Sequence, residues 1–279
     1  MLFRSNVVAV FTSRRRSLVL RLKVRHPHRR HRVLDRAKPR VLVLTNQAAG
    51  ERVLPRRSHR GFFIEGGVGA MQPLVECVPN FSEGRDRAAI ERIVGVVRAV
   101  AGVTILDLHS DSSHNRSVLT FVGAPKAVRE AAVRLVGEAA QLINMNVQRG
   151  AHPRIGATDV VPFVPVAGVS MYDCVQLAHA AGQEIYKRFG VPVYFYEAAA
   201  LRAECRALEN IRRGQYEQLR ELVKTDVSRR PDIGGAQLHS TAGATVVGAR
   251  KFLIAFNVNL DTPDVGAAKA IARKIRASG

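Results

Sequence analysis

Leu74-Val75-Glu76-Cys77-Val78-Pro79-Asn80-Phe81-Ser82-Glu83-Gly84 opens the part of the chain in which periodicity becomes legible. Residues 74–78 are mostly apolar and predict a short buried strand. Pro79 cannot donate to a ladder, and the polar run to Gly84 predicts a turn. Ile90, Ile93, Val94 and Val97 follow at helical spacing, with Gly102 as a plausible stop. Residues 103–108 and 117–122 predict two strands around the loop 110–116. Pro125 opens a second helix, whose apolar face runs Val128, Ala132, Leu135, Ala139, Leu142. A Gly/Pro-containing loop at 150–156 leads into a strand over 160–166. Two prolines in that strand predict an edge position or a bulge. The order β-α-β-β-α-β is the split βαβ of a ferredoxin-like sheet with both helices on one face, so the expected class is α+β.

Toward the C-terminus, Ser170 and Asp173 predict the start of a third helix at about Met171. A strand at 192–196, charged helical sequence over 199–224 and a polar, turn-rich stretch at 231–243 come next. Two last strands, at 244–248 and 252–258, precede a helix from Pro263.

Toward the N-terminus the composition changes. The 279 residues carry 43 Lys+Arg against 23 Asp+Glu, a formal net charge of +20. Residues 1–70 hold 17 of the cations and 3 of the anions, a net +14. Residues 71–279 hold 26 and 20, a net +6. Runs such as Arg14-Arg15-Arg16 and Arg25-His26-Pro27-His28-Arg29-Arg30-His31-Arg32 account for the excess. Three readings compete for 1–70: a phosphate-binding basic arm, an Arg-rich transit peptide, or a disordered, even spurious, extension ahead of a start at Met71. Sequence this charged and aromatic-poor cannot build a core, which favours the third.

The composition also excludes classes. No run approaches the roughly 18 apolar residues of a membrane span. Cys77, Cys174 and Cys205 are three, far apart and in no metal spacing, so neither a disulfide scaffold nor structural zinc is expected. Cys77 and Cys174 lie in apolar surroundings and read as buried structural thiols.

Polar side chains gather in three loops: 80–84, 109–116 and 150–159. The third is richest in chemistry. His152 can exchange a proton near neutral pH, Arg154 offers a permanent charge to a carboxylate, and Asp159 could orient the imidazole. The plainer alternative is that His152 hydrogen-bonds a backbone carbonyl, and the residues alone leave both open. His109 and His114 with Asp111 have no clear ligand geometry and read first as a solvated loop. Arg212-Arg213 and Arg229-Arg230 read most simply as solvated charge, though either pair could meet an acidic ligand.

Leu74–Gly84 as quoted, Asn115-Arg116-Ser117-Val118, Thr120-Phe121-Val122-Gly123, His152-Pro153-Arg154-Ile155-Gly156-Ala157 and Gly243-Ala244-Thr245 together resemble glutamate formimidoyltransferase, the transferase part of formimidoyltransferase-cyclodeaminase. The resemblance runs in order over nearly all of 71–279. It implies transfer of the formimidoyl group of N-formimidoyl-L-glutamate to N5 of tetrahydrofolate, a step of histidine breakdown and one-carbon metabolism, in a cytoplasmic homodimer. Tetrahydrofolate is then the co-substrate. The partners are small molecules, with no metal, membrane or nucleic acid expected. His152 corresponds to the family's catalytic base. Folate contact carries over to Gly234-Gly235-Ala236-Gln237-Leu238-His239-Ser240-Thr241-Ala242-Gly243. Arg154, Asp159, Asp111, Asn115 and Arg116 are candidates for orienting the base or holding a substrate carboxylate. His109 stands where some members have Asp, with Asp111 nearby. On this resemblance 71–250 is the N-terminal subdomain and 251–279 the start of a truncated second one. A non-catalytic folate-binding or regulatory remnant of the family is the alternative.

Overall fold

The structure is a computed structural model that describes residues 7–11, 72–258 and 264–276. These fall into two units. In the smaller, β1 (Val7–Phe11) pairs with β9 (Ile254–Val258) in a two-stranded sheet, and α6 (Val265–Arg276) follows. The expectation of disorder over the rest of 1–70 lies outside the described residues.

The larger unit, Ala70–Ile254, carries everything needed to place the site. Its elements run β2 (Leu74–Cys77), β3 (Asn80–Phe81), α1 (Arg87–Arg98), β4 (Val103–Asp111), β5 (Arg116–Gly123), α2 (Pro125–Leu142), β6 (Thr158–Ala167), α3 (Met171–Phe189), β7 (Val193–Glu197), α4 (Leu208–Arg212), α5 (Gln215–Thr225) and β8 (Thr245–Ala249). Asp86 caps α1 by accepting from the N–H groups of Ala88 and Ala89. Ser170 and Asp173 form a reciprocal capping box on α3, and Gly190, at φ +65°, closes its other end. Pro125 opens α2 at a position where a missing N–H costs nothing.

One mixed sheet of seven strands results. β4 and β5 form an antiparallel hairpin at one side. β2 and β3 lie end to end between β5 and β6 and are antiparallel to both. β8 runs parallel to β6, and β7 parallel to β8. Side chains alternate across the inner strands. Val193, Phe195 and Val247 join one core with Ile93, Leu135, Ile185 and the apolar faces of α1, α2 and α3. Tyr194, Tyr196 and Val246 join a second core with Ile211, Leu219 and Val223 of α4 and α5. Burying each of these large side chains contributes about 1.5–3 kcal/mol, so α4 and α5 are firmly seated despite their charged sequence.

Two expectations are corrected and one is narrowed. β6 is an interior strand, paired on both sides, so of the two positions its prolines allowed the edge falls away and the irregular, bulged ladder is what is found. Its prolines are accommodated where the ladder is already irregular. Pro162 lies opposite the break between β2 and β3, where its carbonyl accepts from Val78 N–H at 3.3 Å, and Pro165 faces a register shift at Leu74/Val75. The loop expected at 110–116 shortens to a tight hairpin, because β4 continues to Asp111. The helical stretch expected over 199–224 is broken into a 3-10 turn, α4 and α5. The break between the two helices falls at Gly214 and Gln215, both with positive φ (+83° and +54°).

Candidate active site

The three polar loops converge. Gly84 N–H donates to Asn115 Oδ1 at 2.9 Å, and Asn115 Nδ2 donates to Arg149 O at 3.0 Å, so one amide side chain ties all three together. Asn115 adopts φ +48°, which asparagine tolerates better than most residues. Contact is close enough to require glycine. A Cβ on Gly84 would lie 2.3 Å from Asp111 O, and one on Gly150 would lie 2.2 Å from His114 O. Ala151 N–H donates to Ser113 O at 3.2 Å, and Ser82 Oγ to Gly156 O at 2.7 Å. The segment 239–243 packs on the same loop. Ala157 N–H donates to Ala242 O at 2.8 Å, Ala244 N–H to Ile155 O at 3.1 Å, and Gly156 pairs with Gly243.

His152 stands at this junction, half-buried. Neither ring nitrogen has a hydrogen-bond partner among the described residues, so the backbone-carbonyl alternative is not what positions it. Its ring meets that of His114 edge-on, with centroids 6.4 Å apart. Burial, then the charges of Arg116 and Arg212 and the neighbouring His114, lower its pKa from 6.5 to about 4, against an opposing pull from Asp159. At pH 7 the imidazole is therefore neutral.

The other expected residues divide. Arg154 is buried, and all five of its N–H groups have acceptors. Nε donates to Gln148 Oε1 (2.7 Å), Nη1 to Gln215 Oε1 (3.0 Å) and Glu217 Oε2 (3.1 Å), and Nη2 to Gln148 O (3.0 Å) and Glu217 Oε1 (2.8 Å). In this arrangement it has no donor left for a substrate carboxylate. Asp159 does not bond His152. Its Oδ1 accepts from Ile155 N–H at 2.9 Å and its Oδ2 from Arg212. Asp111 serves His114 instead, at 2.9 Å from Nδ1, and the backbone N–H groups of His114 and Ser113 help hold its carboxyl below the usual range. His109 is exposed on β4. Arg116 donates through Nε and Nη2 to Asn80 Oδ1. Among the described residues no group of three or more His, Cys, Asp or Glu side chains is placed to hold a metal. The three thiols are buried and free.

These loops can be set against known proteins. The N-terminal subdomain of the formiminotransferase domain matches residues 74–250. The chain belongs to the formiminotransferase family. A glutamate formimidoyltransferase of Streptococcus pyogenes serotype M1 is 46% identical over 210 residues, covering 75% of this chain and 70% of that one. One of Thermoplasma acidophilum is 47% identical over 206 residues, 73% and 67% of the two chains. A formimidoyltransferase-cyclodeaminase of Sus scrofa is 48% identical over 190 residues, which are 68% of this chain and 35% of the relative. Every loop residue of the junction falls inside the formiminotransferase match. Of the segment 234–243, the half from His239 onward is held at the junction, with His239 Nδ1 accepting from Ala242 N–H at 3.0 Å. Gly234 instead abuts Pro192, before β7.

Arg212 is the residue that sequence reasoning left in solvent. α4 carries it onto Asp159, 53 positions away, and no local pattern announces that meeting. Gln148, Gln215 and Glu217, which together saturate Arg154, are equally silent in sequence. A cavity of about 480 Å³ lined by Tyr194, Arg202, Cys205 and Arg229 lies elsewhere and contains none of these side chains.

Proposed function

We propose that this chain transfers a formimidoyl group from N-formimidoyl-L-glutamate to N5 of tetrahydrofolate, with His152 as general base. The observation that carries the reading is a neutral imidazole, without a hydrogen-bond partner among the described residues, at the junction of three loops inside the formiminotransferase match. N5 attacks the amidine carbon while His152 takes the N5 proton, giving a tetrahedral intermediate. The imidazolium then protonates the glutamate nitrogen, the bond from that nitrogen to the transferred carbon breaks, and glutamate leaves. The nucleophile belongs to the co-substrate, so the step asks no covalent intermediate of the protein.

Folate lies along Gly234–Gly243 in this reading. That segment hydrogen-bonds the residues directly following His152-Pro153-Arg154, which supports it. The order β6, β2, β5, β4, with α1 and α2 on one face, supports a ferredoxin-like N-terminal subdomain over 71–250, with 251–279 the start of the next. A cytoplasmic homodimer belongs to the same proposal. The test is a spectrophotometric assay with N-formimidoyl-L-glutamate and tetrahydrofolate. Formation of 5-formimidoyltetrahydrofolate is expected; none at high enzyme concentration overturns the reading in favour of a folate-binding protein without turnover.

A further inference from the structure

The charges around His152 do not balance. Arg154 is answered by Glu217 and lies outside the count. Of the remaining two guanidiniums, Arg116 has only the neutral amide oxygen of Asn80 as acceptor for Nε and Nη2, and its Nη1 has no partner among the described residues. Arg212 uses Nη2 alone, on Asp159, while its Nε is buried without a hydrogen-bond partner. Asp159 is the sole carboxylate bonded to either, and it also accepts from Ile155 N–H. The two guanidiniums are near neighbours: burial and then Arg212 hold the pKa of Arg116 below its usual range. Asp111 also acts on Arg116 through space, but its carboxylate is taken by His114. Two guanidiniums with one directly bonded carboxylate between them, and a buried donor unmet, is an unfavourable arrangement in the absence of a further anion. The planar fork of arginine matches the paired oxygens of a carboxylate or a phosphate, and the formimidoyl donor of the transfer reading carries only carboxylates.

We propose that Arg116 and Arg212 form a carboxylate site beside His152, which takes the α-carboxylate of the formimidoyl donor. The site follows from the geometry; naming the anion rests on the transfer reading given above. In N-formimidoyl-glutamate that carboxylate is two bonds from the nitrogen whose proton His152 must supply, so the group that binds it has to lie next to the base. The glutamyl carboxylates of folate are a p-aminobenzoyl length away from N5 and reach this position less readily. Seating an anion here also has a chemical consequence. Burial first, and then Arg116 from β5, Arg212 from α4 and His114 from the hairpin, weaken the imidazole as a base, and Asp159 opposes them. A carboxylate bound between the guanidiniums joins Asp159, and His152 gains proton affinity when the donor arrives.

Calorimetric binding of L-glutamate and glutarate to the full chain tests the site, with thermal melts confirming that each variant is folded. Arg212→Gln is expected to weaken glutamate binding roughly tenfold or more, and Arg212→Lys by less, since it keeps the charge and the contact with Asp159. Asp159→Asn is the deciding comparison. It removes the competing charge while its Oδ1 can still accept from Ile155, so glutamate binding should hold or tighten. If Arg212 were merely structural, Arg212→Gln and Asp159→Asn would weaken binding alike, and that result overturns the proposal. Tetrahydrofolate and tetrahydropteroate distinguish the two sources of carboxylate. A loss confined to tetrahydrofolate moves the site to the folate tail and overturns the donor assignment. Glutamate binding that depends on Arg212 in a chain without transferase activity would leave the site standing and remove the transfer reading. Active transfer with an unchanged donor KM in Arg212→Gln would do the reverse.

Discussion

Two halves of one loop are built on opposite terms. Around Arg154, the start of α5 closes over a buried guanidinium and supplies Gln215 and Glu217, Gln148 fills what remains, and no N–H is unmet. Two residues earlier, around His152, the hairpin between β4 and β5 and the end of α4 bring charge but no hydrogen bond to the imidazole. Arg212 even keeps a buried donor unmet there. Local composition does not separate the halves, since both are His/Arg-rich and partly buried. Hydrogen-bond saturation does. A saturated polar cluster is committed to holding the fold, whereas an unsaturated one in a supported position is poised for a ligand.

Replacing each residue should therefore damage a different property. His152→Ala is expected to lower kcat by about 10²–10⁴-fold while the melting temperature and folate binding persist. Wild-type turnover in that variant would erase the distinction at its functional end. Arg154→Gln should do the opposite. Breaking a buried ion pair typically costs 3–5 kcal/mol, but Glu217 is 51% exposed and can return to water. A loss of about 2–3 kcal/mol in urea unfolding is accordingly expected, with kcat per folded molecule close to wild type. A stable Arg154→Gln protein with a raised donor KM would show that the guanidinium binds substrate after all.

Gly84 sharpens the same contrast on the architectural side. A Cβ there meets the backbone of Asp111 and Arg116, at 2.3 and 2.6 Å, and neither can move without disturbing the hairpin. Gly84→Ala is expected to destabilise by about 1–3 kcal/mol and to lower activity as well, because the junction that positions His152 is displaced. Unchanged unfolding with normal turnover would mean that the loops are not rigidly joined.

Much of this was legible beforehand, for identifiable reasons. The helical spacing of Ile90, Ile93, Val94 and Val97 and the Ser170/Asp173 capping box are local signals, and α1 and α3 form where those signals lie. His152 stood out because chemistry-bearing residues and turn formers were adjacent. What failed needed information from far away. Pro162 and Pro165 in β6 left edge and bulge open, and only the partner strand, broken at Pro79 and shifted at Leu74/Val75, decides for the bulge. Arg154 looked free because its acceptors include Glu217, 63 residues on. Arg212 looked solvated because Asp159 is 53 residues back. Asp111 was one of several candidates for orienting the base, and His114, three residues away, takes its carboxylate. Sequence proximity names candidates, but the pairing among them is a property of packing.

The smallest expected effect is one of pH, and it reports on the unsaturated half alone. Well above pH 6.5 His152 is neutral whether the chain is folded or not. Between 6.5 and about 4 the unfolded chain takes up a proton that the folded chain refuses, so stability must fall as pH falls through this window. Below about 4 the folded state accepts the proton too, and this contribution to the slope ends. His239, whose pKa is also lowered by burial, adds to the trend in the same direction, and the carboxylates held below their usual range add theirs at lower pH. Comparing unfolding free energy against pH for wild type and His152→Asn removes those shared parts. The wild type should show the steeper decline from pH 6.5 to 4, and saturating glutarate should flatten it, because an anion beside Arg116 and Arg212 lets the folded state hold the proton. Parallel curves for the two proteins would mean that His152 is not shielded from water as its surroundings require, and the contrast with Arg154 would then rest on hydrogen bonds alone.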